Sequence, residues 1–269
     1  MKRALVVWGA CAAALGCAGQ AIAAAPSERD DRLALMAAGH TLTNTNGGWG
    51  AAATWLHNFS ADTIFSLGGE HQTLGDADWN FGSVGLTHGF GEASRRTTLY
   101  AEAHEGSGKD AVHSYDYSII AVGAYQNLTR QLSLQLEDKQ INVDTSDGNL
   151  PKLGLQYLWS PKLLTTVSYA YSVSGSLGTR IATARIDGYG KTMNFFGGAA
   201  NGQASPIVIN APGLPNIPGQ ILHEYFVGMG RAFSRADTTL VLDYVKLGGS
   251  EHVTLTFSCI LHKRRSAPG

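Results

Sequence analysis

The feature that most constrains this chain is a strict alternation of apolar and polar side chains, sustained over segments too long for an ordinary globular sheet. From Leu163, alternate residues run Leu163, Thr165, Val167, Tyr169, Tyr171 and Val173, while those between are Leu164, Thr166, Ser168, Ala170 and Ser172. One face is apolar and aromatic, the other small and polar, which is the pattern of a strand between two different environments. Leu132, Leu134 and Leu136 stand against Ser133, Gln135, Glu137 and Lys139 in the same way, as do Val253, Leu255 and Phe257 against His252, Thr254, Thr256 and Ser258. Around residue 115 the outward set reads as Tyr115, Tyr117, Ile119, Ala121, Gly123 and Tyr125, leaving Asp116 inward. The segments reach about ten residues, against roughly five or six in globular sheets and 9 to 11 in a tilted transmembrane strand. Trp49, Trp55, Phe59, Trp79, Tyr157 and Trp159 fall near segment ends, where interfacial girdles sit. The competing reading makes them core aromatics of a soluble β-protein.

The N-terminus supports the membrane reading. Lys2 and Arg3 precede an apolar run from Ala4 to Leu15, and Ala21-Ile22-Ala23 supplies a cleavage site, so residues 1–23 are expected to be a signal peptide and 24–30 a periplasmic lead-in. Ala14-Leu15-Gly16-Cys17 offers a lipoprotein signal as the alternative. With Cys11 and Cys17 in the leader, the mature chain retains Cys259, so neither an internal disulfide nor a cysteine metal site is expected. In lipid every backbone donor and acceptor must be satisfied within the protein, so a sheet that spans has to close. Charged residues make up 15% and the net charge is −1, a balance without the basic stripe of a nucleic-acid binder.

Short turns of related sequence recur. They include Asn58-Phe59-Ser60-Ala61-Asp62-Thr63, Phe90-Gly91-Glu92-Ala93-Ser94, Asn127-Leu128-Thr129-Arg130, Trp159-Ser160-Pro161-Lys162 and Phe233-Ser234-Arg235-Ala236-Asp237-Thr238. A further turn near Gly188-Tyr189-Gly190 completes a hairpin spacing. Placing the tight turns on the periplasmic side predicts strands at 31–43, 49–58, 63–74, 79–90, 96–105, 113–126, 131–142, 151–159, 162–173, 178–188, 191–197, 220–233, 237–246 and 251–259. The expected fold is all-β: a closed antiparallel transmembrane up-and-down β-barrel of about fourteen strands over residues 31–259, with twelve as the alternative and a basic tail at 260–269. The one long outward connection, 197–219, carries Pro206, Pro212, Pro215 and Pro218 and is the candidate gating loop.

The inward polar set names the candidate site: Glu102, Asp116, Glu137, Lys139, Lys152, Gln156, Arg185, Glu224 and Asp243. Mixed charges in a lumen either line a polar conduit or pair to close it. For hydrolysis the candidates are His104 with Glu102 and Ser107, and His113 with Ser114 and Asp116, although triad members meet in space and not in sequence. His40, His57, His71, His88, His223 and His252 lack metal-ligand spacing, and Gly47-Gly48 and Gly197-Gly198 lack the Lys-Ser/Thr ending of a phosphate loop, so no metal or cofactor is expected.

In its order of Ser168-Tyr169-Ala170-Tyr171, then Thr179 to Ile186, a Gly/Pro-rich excursion, then Tyr225 to Arg231 and Val253 to Phe257, the chain resembles the YaiO-like outer-membrane barrels. The resemblance covers most of the mature chain in layout, and it implies a Gram-negative outer-membrane protein linked to exopolysaccharide export. Outer-membrane lipid, the barrel-assembly machinery, a polysaccharide and periplasmic secretion components are the partners it implies. The chain departs from the aromatic ending common to such barrels, because Ser258 to Gly269 follow Phe257. The alternatives are an outer-membrane hydrolase of lipid or glycan and a structural or partner-docking barrel.

Overall fold

The computed structural model describes residues 31–43, 47–92, 95–109, 114–143, 146–205 and 219–262. The expected leader and lead-in, His113, the four prolines of the candidate gating loop and residues 263–269 lie outside the described residues. Fourteen strands follow in order: β1 Asp31–Leu42, β2 Gly48–Asn58, β3 Thr63–Leu74, β4 Ala77–Phe90, β5 Thr97–Lys109, β6 Ser114–Asn127, β7 Leu132–Val143, β8 Ser146–Ser160, β9 Leu163–Tyr171, β10 Arg180–Tyr189, β11 Met193–Ala204, β12 Gln220–Ala232, β13 Ala236–Leu247 and β14 Ser250–His262. Each pairs antiparallel with its sequence neighbours, and β1 pairs with β14 to close the barrel. Closure leaves no sheet edge, which is the condition for a sheet to cross lipid.

Ladder register sets the tilt. Following paired residues from Leu35 through Ala53, Gly69, Gly82, Glu105 and Ser118 leads to Asn142, next to the last residue of β7. The row climbs steadily along the strands, so they incline by roughly 35 to 45° to the barrel axis. With neighbouring strands about 4.8 Å apart, fourteen of them enclose a tube on the order of 25 Å across, backbone to backbone.

Two of the related turns share one device. The Ser60 hydroxyl accepts from the backbone of Asp62 and Thr63 at 3.2 and 3.1 Å, and the Thr129 hydroxyl does the same for Gln131 and Leu132 at 3.1 and 2.9 Å. A hydroxyl that bonds the backbone two or three residues on fixes the turn locally. These short connections share the end where β1 begins and β14 finishes, and are assigned to the inner, periplasmic side.

Burial separates the two faces. Leu67, Val84, Leu99, Val122, Leu136, Leu155, Val167, Ile186, Val227, Leu242 and Leu255 are all exposed around the outside, forming a lipid-facing belt. Several expectations need correction. On β6 the aromatic set is inward, with Tyr117, Ile119 and Ala121 buried, so Asp116 faces out. Trp79 is also inward, stacked on Phe81 at 5.8 Å and against Tyr115 at 4.5 Å. The assumption that apolar means lipid fails here because the outer end of the lumen is itself apolar. Residues 197–204 belong to β11 rather than to a loop, and residues 260–262 complete β14 rather than begin a tail.

Candidate functional site

Alternation brings Glu102, Glu137, Lys139, Lys152, Gln156, Arg185, Glu224 and Asp243 to the lumen and excludes Asp116. They form distinct groups. Lys139 and Lys152 each place Nζ 3.4 Å from Glu137 Oε1, and the Tyr100 hydroxyl donates to Glu137 Oε2. Lys152 stands directly opposite Glu137 in the β7–β8 register, while Lys139 shares its face two residues along. A Cβ at position 123 would overlap the Tyr100 ring, so Gly123 is what lets that ring reach the cluster.

On β10, Arg185 forks onto Asp187: Nε donates to both carboxylate oxygens at 3.0 Å and Nη2 donates at 2.6 Å. The guanidinium lies over the Phe196 ring at 4.4 Å and nearer its edge of reach over Phe226 at 6.0 Å. A planar, weakly hydrated cation gains from both contacts in a dry setting. In the third group Glu224 and Asp243 lie on adjacent strands, and Asp243 stands opposite Thr254, whose hydroxyl is shared at 3.1 and 3.2 Å by His40 and His252, rings 5.4 Å apart. Asp243 Oδ1 and His40 Nε2 are buried without a hydrogen-bond partner among the described residues.

The lumen is lopsided. Inward side chains of β10 to β14 are packed away, including Arg185, Phe196, Ala200, Glu224, Val241, Asp243 and Thr256, all 5% exposed or less. Across from them, Ala52, Thr54, Ser66, Gly68, Glu70, Ser83, Glu102 and His104 face inward and are half-buried, so solvent reaches the β2 to β5 wall. His104 Nε2 lies 3.6 Å from Glu102 Oε2. An open concavity of about 1510 Å³ along β1 to β7 is lined more by outward residues such as Ala51, Gly69 and Asn142 than by inward ones such as Met36 and Glu70. At the outer end Tyr117, Ile141, Val143, Leu222, Val245 and Leu247 are buried in two apolar clusters bridged by Ile181.

The hydrolase constellations do not assemble. His104 and Ser107 lie on opposite faces of β5, so Ser107 does not reach that imidazole, and Asp116 and Ser114 are outward, with His113 outside the described residues. Among the described residues no group of three or more His, Cys, Asp or Glu is placed to hold a metal. Sequence reasoning missed Glu70, Tyr100 and Asp187. The last was findable, since Arg185 and Asp187 are two apart on one strand and share a face; Glu70 was not, because Gly69-Glu70-His71-Gln72 is polar or small on both faces.

No protein-family model matches the chain, and no curated protein matches it in sequence. Solved structures do match in fold. The CymD monoaromatic hydrocarbon channel superposes with a TM-score of 0.63 at 11% identity, covering 88% of this chain and 90% of that one. The toluene transporter TodX of Pseudomonas putida superposes with a TM-score of 0.56 at 10% identity, covering 93% of each. At such identities the likeness establishes the architecture alone, a closed antiparallel β-barrel.

Proposed function

We propose that the protein is an outer-membrane conduit for small hydrated solutes, that it favours cations over anions, and that it is closed at its outer end at rest. One observation carries this reading. The solvent-reached wall of β2 to β5 presents small polar side chains with Glu70 and Glu102 as its charged groups, while Lys139, Lys152 and Arg185 are buried in ion pairs beyond it. A field of one sign along a low-dielectric path concentrates the opposite ion.

Reconstituted barrels in planar bilayers under a potassium chloride gradient should show discrete conductance steps and a reversal potential on the potassium side. The pair Glu70→Gln and Glu102→Gln should move that potential toward zero. Unchanged selectivity in the double variant would remove these carboxylates from the path, and a barrel that never conducts would remove the conduit itself.

Export of a polar polymer such as an exopolysaccharide, and membership of the YaiO-like barrels, are narrower forms of this reading. The small, hydroxyl-bearing wall favours them, and they require the outer seal to open widely. A second reading, passage of a small aromatic solute, is favoured by a different feature: the outer lumen is lined by Trp79, Tyr117, Ile119, Ile141, Leu222 and Val245. The channels with the same fold are described as carrying monoaromatic hydrocarbons and toluene. Block of the potassium current by dissolved toluene would favour that reading over the polymer.

A further inference from the structure

The connection between β9 and β10, residues 172–179, does not stand away from the rim. Its backbone turns back along the top of β8: Val173 N donates to Asn149 O at 3.1 Å and Ser176 N to Asp147 O at 2.7 Å, while Ser172 N closes the base on Thr179 O at 2.8 Å. The hydroxyls of Ser174 and Ser176 accept from the backbone of Asn149 and Asp147 at 3.3 and 3.2 Å. The next residue, Leu177, drops into the lumen, where it is 0% exposed among Trp79, Tyr117, Ile141, Val143 and Leu150. Beneath it, a Cβ on Gly148 would overlap both the Ser174 carbonyl and the Leu177 side chain.

Two features separate this strap from the fixed wall. It lies beyond the assigned strands, since β9 ends at Tyr171 and β10 begins at Arg180, so lifting it breaks its own backbone bonds to Asp147 and Asn149 at the end of β8 but none of the pairs between strands. Leu177 is also bracketed by Gly175 and Gly178, with φ of 75° and 56°, a left-handed backbone at either side of the inserted leucine. The polar bonds lie at the water-facing rim, where water replaces them at little net loss. Besides those rim bonds, what holds the strap down is one buried leucine.

We infer that residues 172–179 are the outer gate of the conduit and that Leu177 is its latch, an inference that rests on the conduit reading above. Closed, the leucine completes the apolar seal over the polar, solvent-reached part of the lumen. Lifted about the two glycines, it takes its side chain out of the tube and leaves Gly148 as the smallest obstacle on that wall.

The test uses the full-length barrel in planar bilayers, with heat-modifiable gel migration confirming that each variant is folded. Leu177→Ser should raise the open fraction roughly thirtyfold, the weight of a lost leucine burial on a closed-to-open equilibrium. Gly148→Ala, which leaves the latch intact and crowds the strap, should also raise it. The pair Asp147→Cys with Ser176→Cys should silence the channel when oxidised and recover on reduction. A conducting parent whose openings are unchanged in all three variants overturns the gate and leaves the conduit standing. Silence of the parent and of every strap variant overturns the conduit and the gate with it.

Discussion

At the scale of single residues the lumen is organised by which charges have partners. The Glu137 carboxylate serves two ammonium groups and one phenol, with its side chain 5% exposed and those of Lys139 and Lys152 at 8% and 9%. Burying such a triad contributes little net stability, but removing one member leaves charge without compensation at a cost of about 3 to 5 kcal/mol. Glu137→Gln should therefore lower the temperature at which the folded gel band is lost. Adding Lys139→Met and Lys152→Met should restore much of it. A single variant as heat-stable as the parent would mean that the cluster is wet and screened. The candidates at this scale were largely legible: eight of nine face the lumen, because a charge on the polar side of a clean alternation has one face available to it. Asp116 failed because it lies at the outer end of β6, beyond the lipid belt that Ile120 and Val122 join, where aromatic residues are not forced outward.

At the scale of elements, the same lesson separates strands that alternate from strands that do not. The stretches around Leu132, Leu163 and Val253 fixed their own faces, whereas β11, Met-Asn-Phe-Phe-Gly-Gly-Ala-Ala-Asn-Gly-Gln-Ala, has weak strand propensity past its first turn of residues. It is a strand because β10 and β12 present unpaired backbone toward it in a setting without water. Its glycines are also packing features, since a Cβ at Gly198 would overlap the Phe226 ring. The reversed face assignment of β6 gives a direct prediction. Cysteine placed at Ile120 or Val122, both outward, should react with a membrane-partitioning maleimide in lipid vesicles, and cysteine at Ile119 should be at least tenfold slower, since an inward side chain of a strand is shielded by its own sheet. The parent's Cys259 must first be changed to Ser, as it is free and part-exposed. Faster labelling at 119 would return β6 to the sequence-based orientation.

At the scale of the whole molecule, stability and function both rest on closure, and the seam is where closure is most exposed to test. Sequence periodicity set the strand number and the hairpin spacing, but a final strand ending at 259 would leave β1 partly unpaired near its inner end. In the structure Ser258, Cys259, Ile260, Leu261 and His262 pair with Met36, Leu35, Ala34, Leu33 and Arg32, and Ile260 is buried inside the barrel. On their other side, Ser258 to Leu261 pair with Thr239 to Ala236 of β13. Removing this piece strips partners from two strands at once, and each backbone group left bare in lipid costs several kcal/mol. A chain ending at Phe257 should therefore lose the heat-modifiable folded band altogether, whereas a chain ending at His262, which keeps every one of those pairs, should migrate and melt like the parent. Equal folding of both truncated chains would mean that the seam closes without residues 258–262, and that the barrel is held by its belt and lumen packing rather than by its ladder.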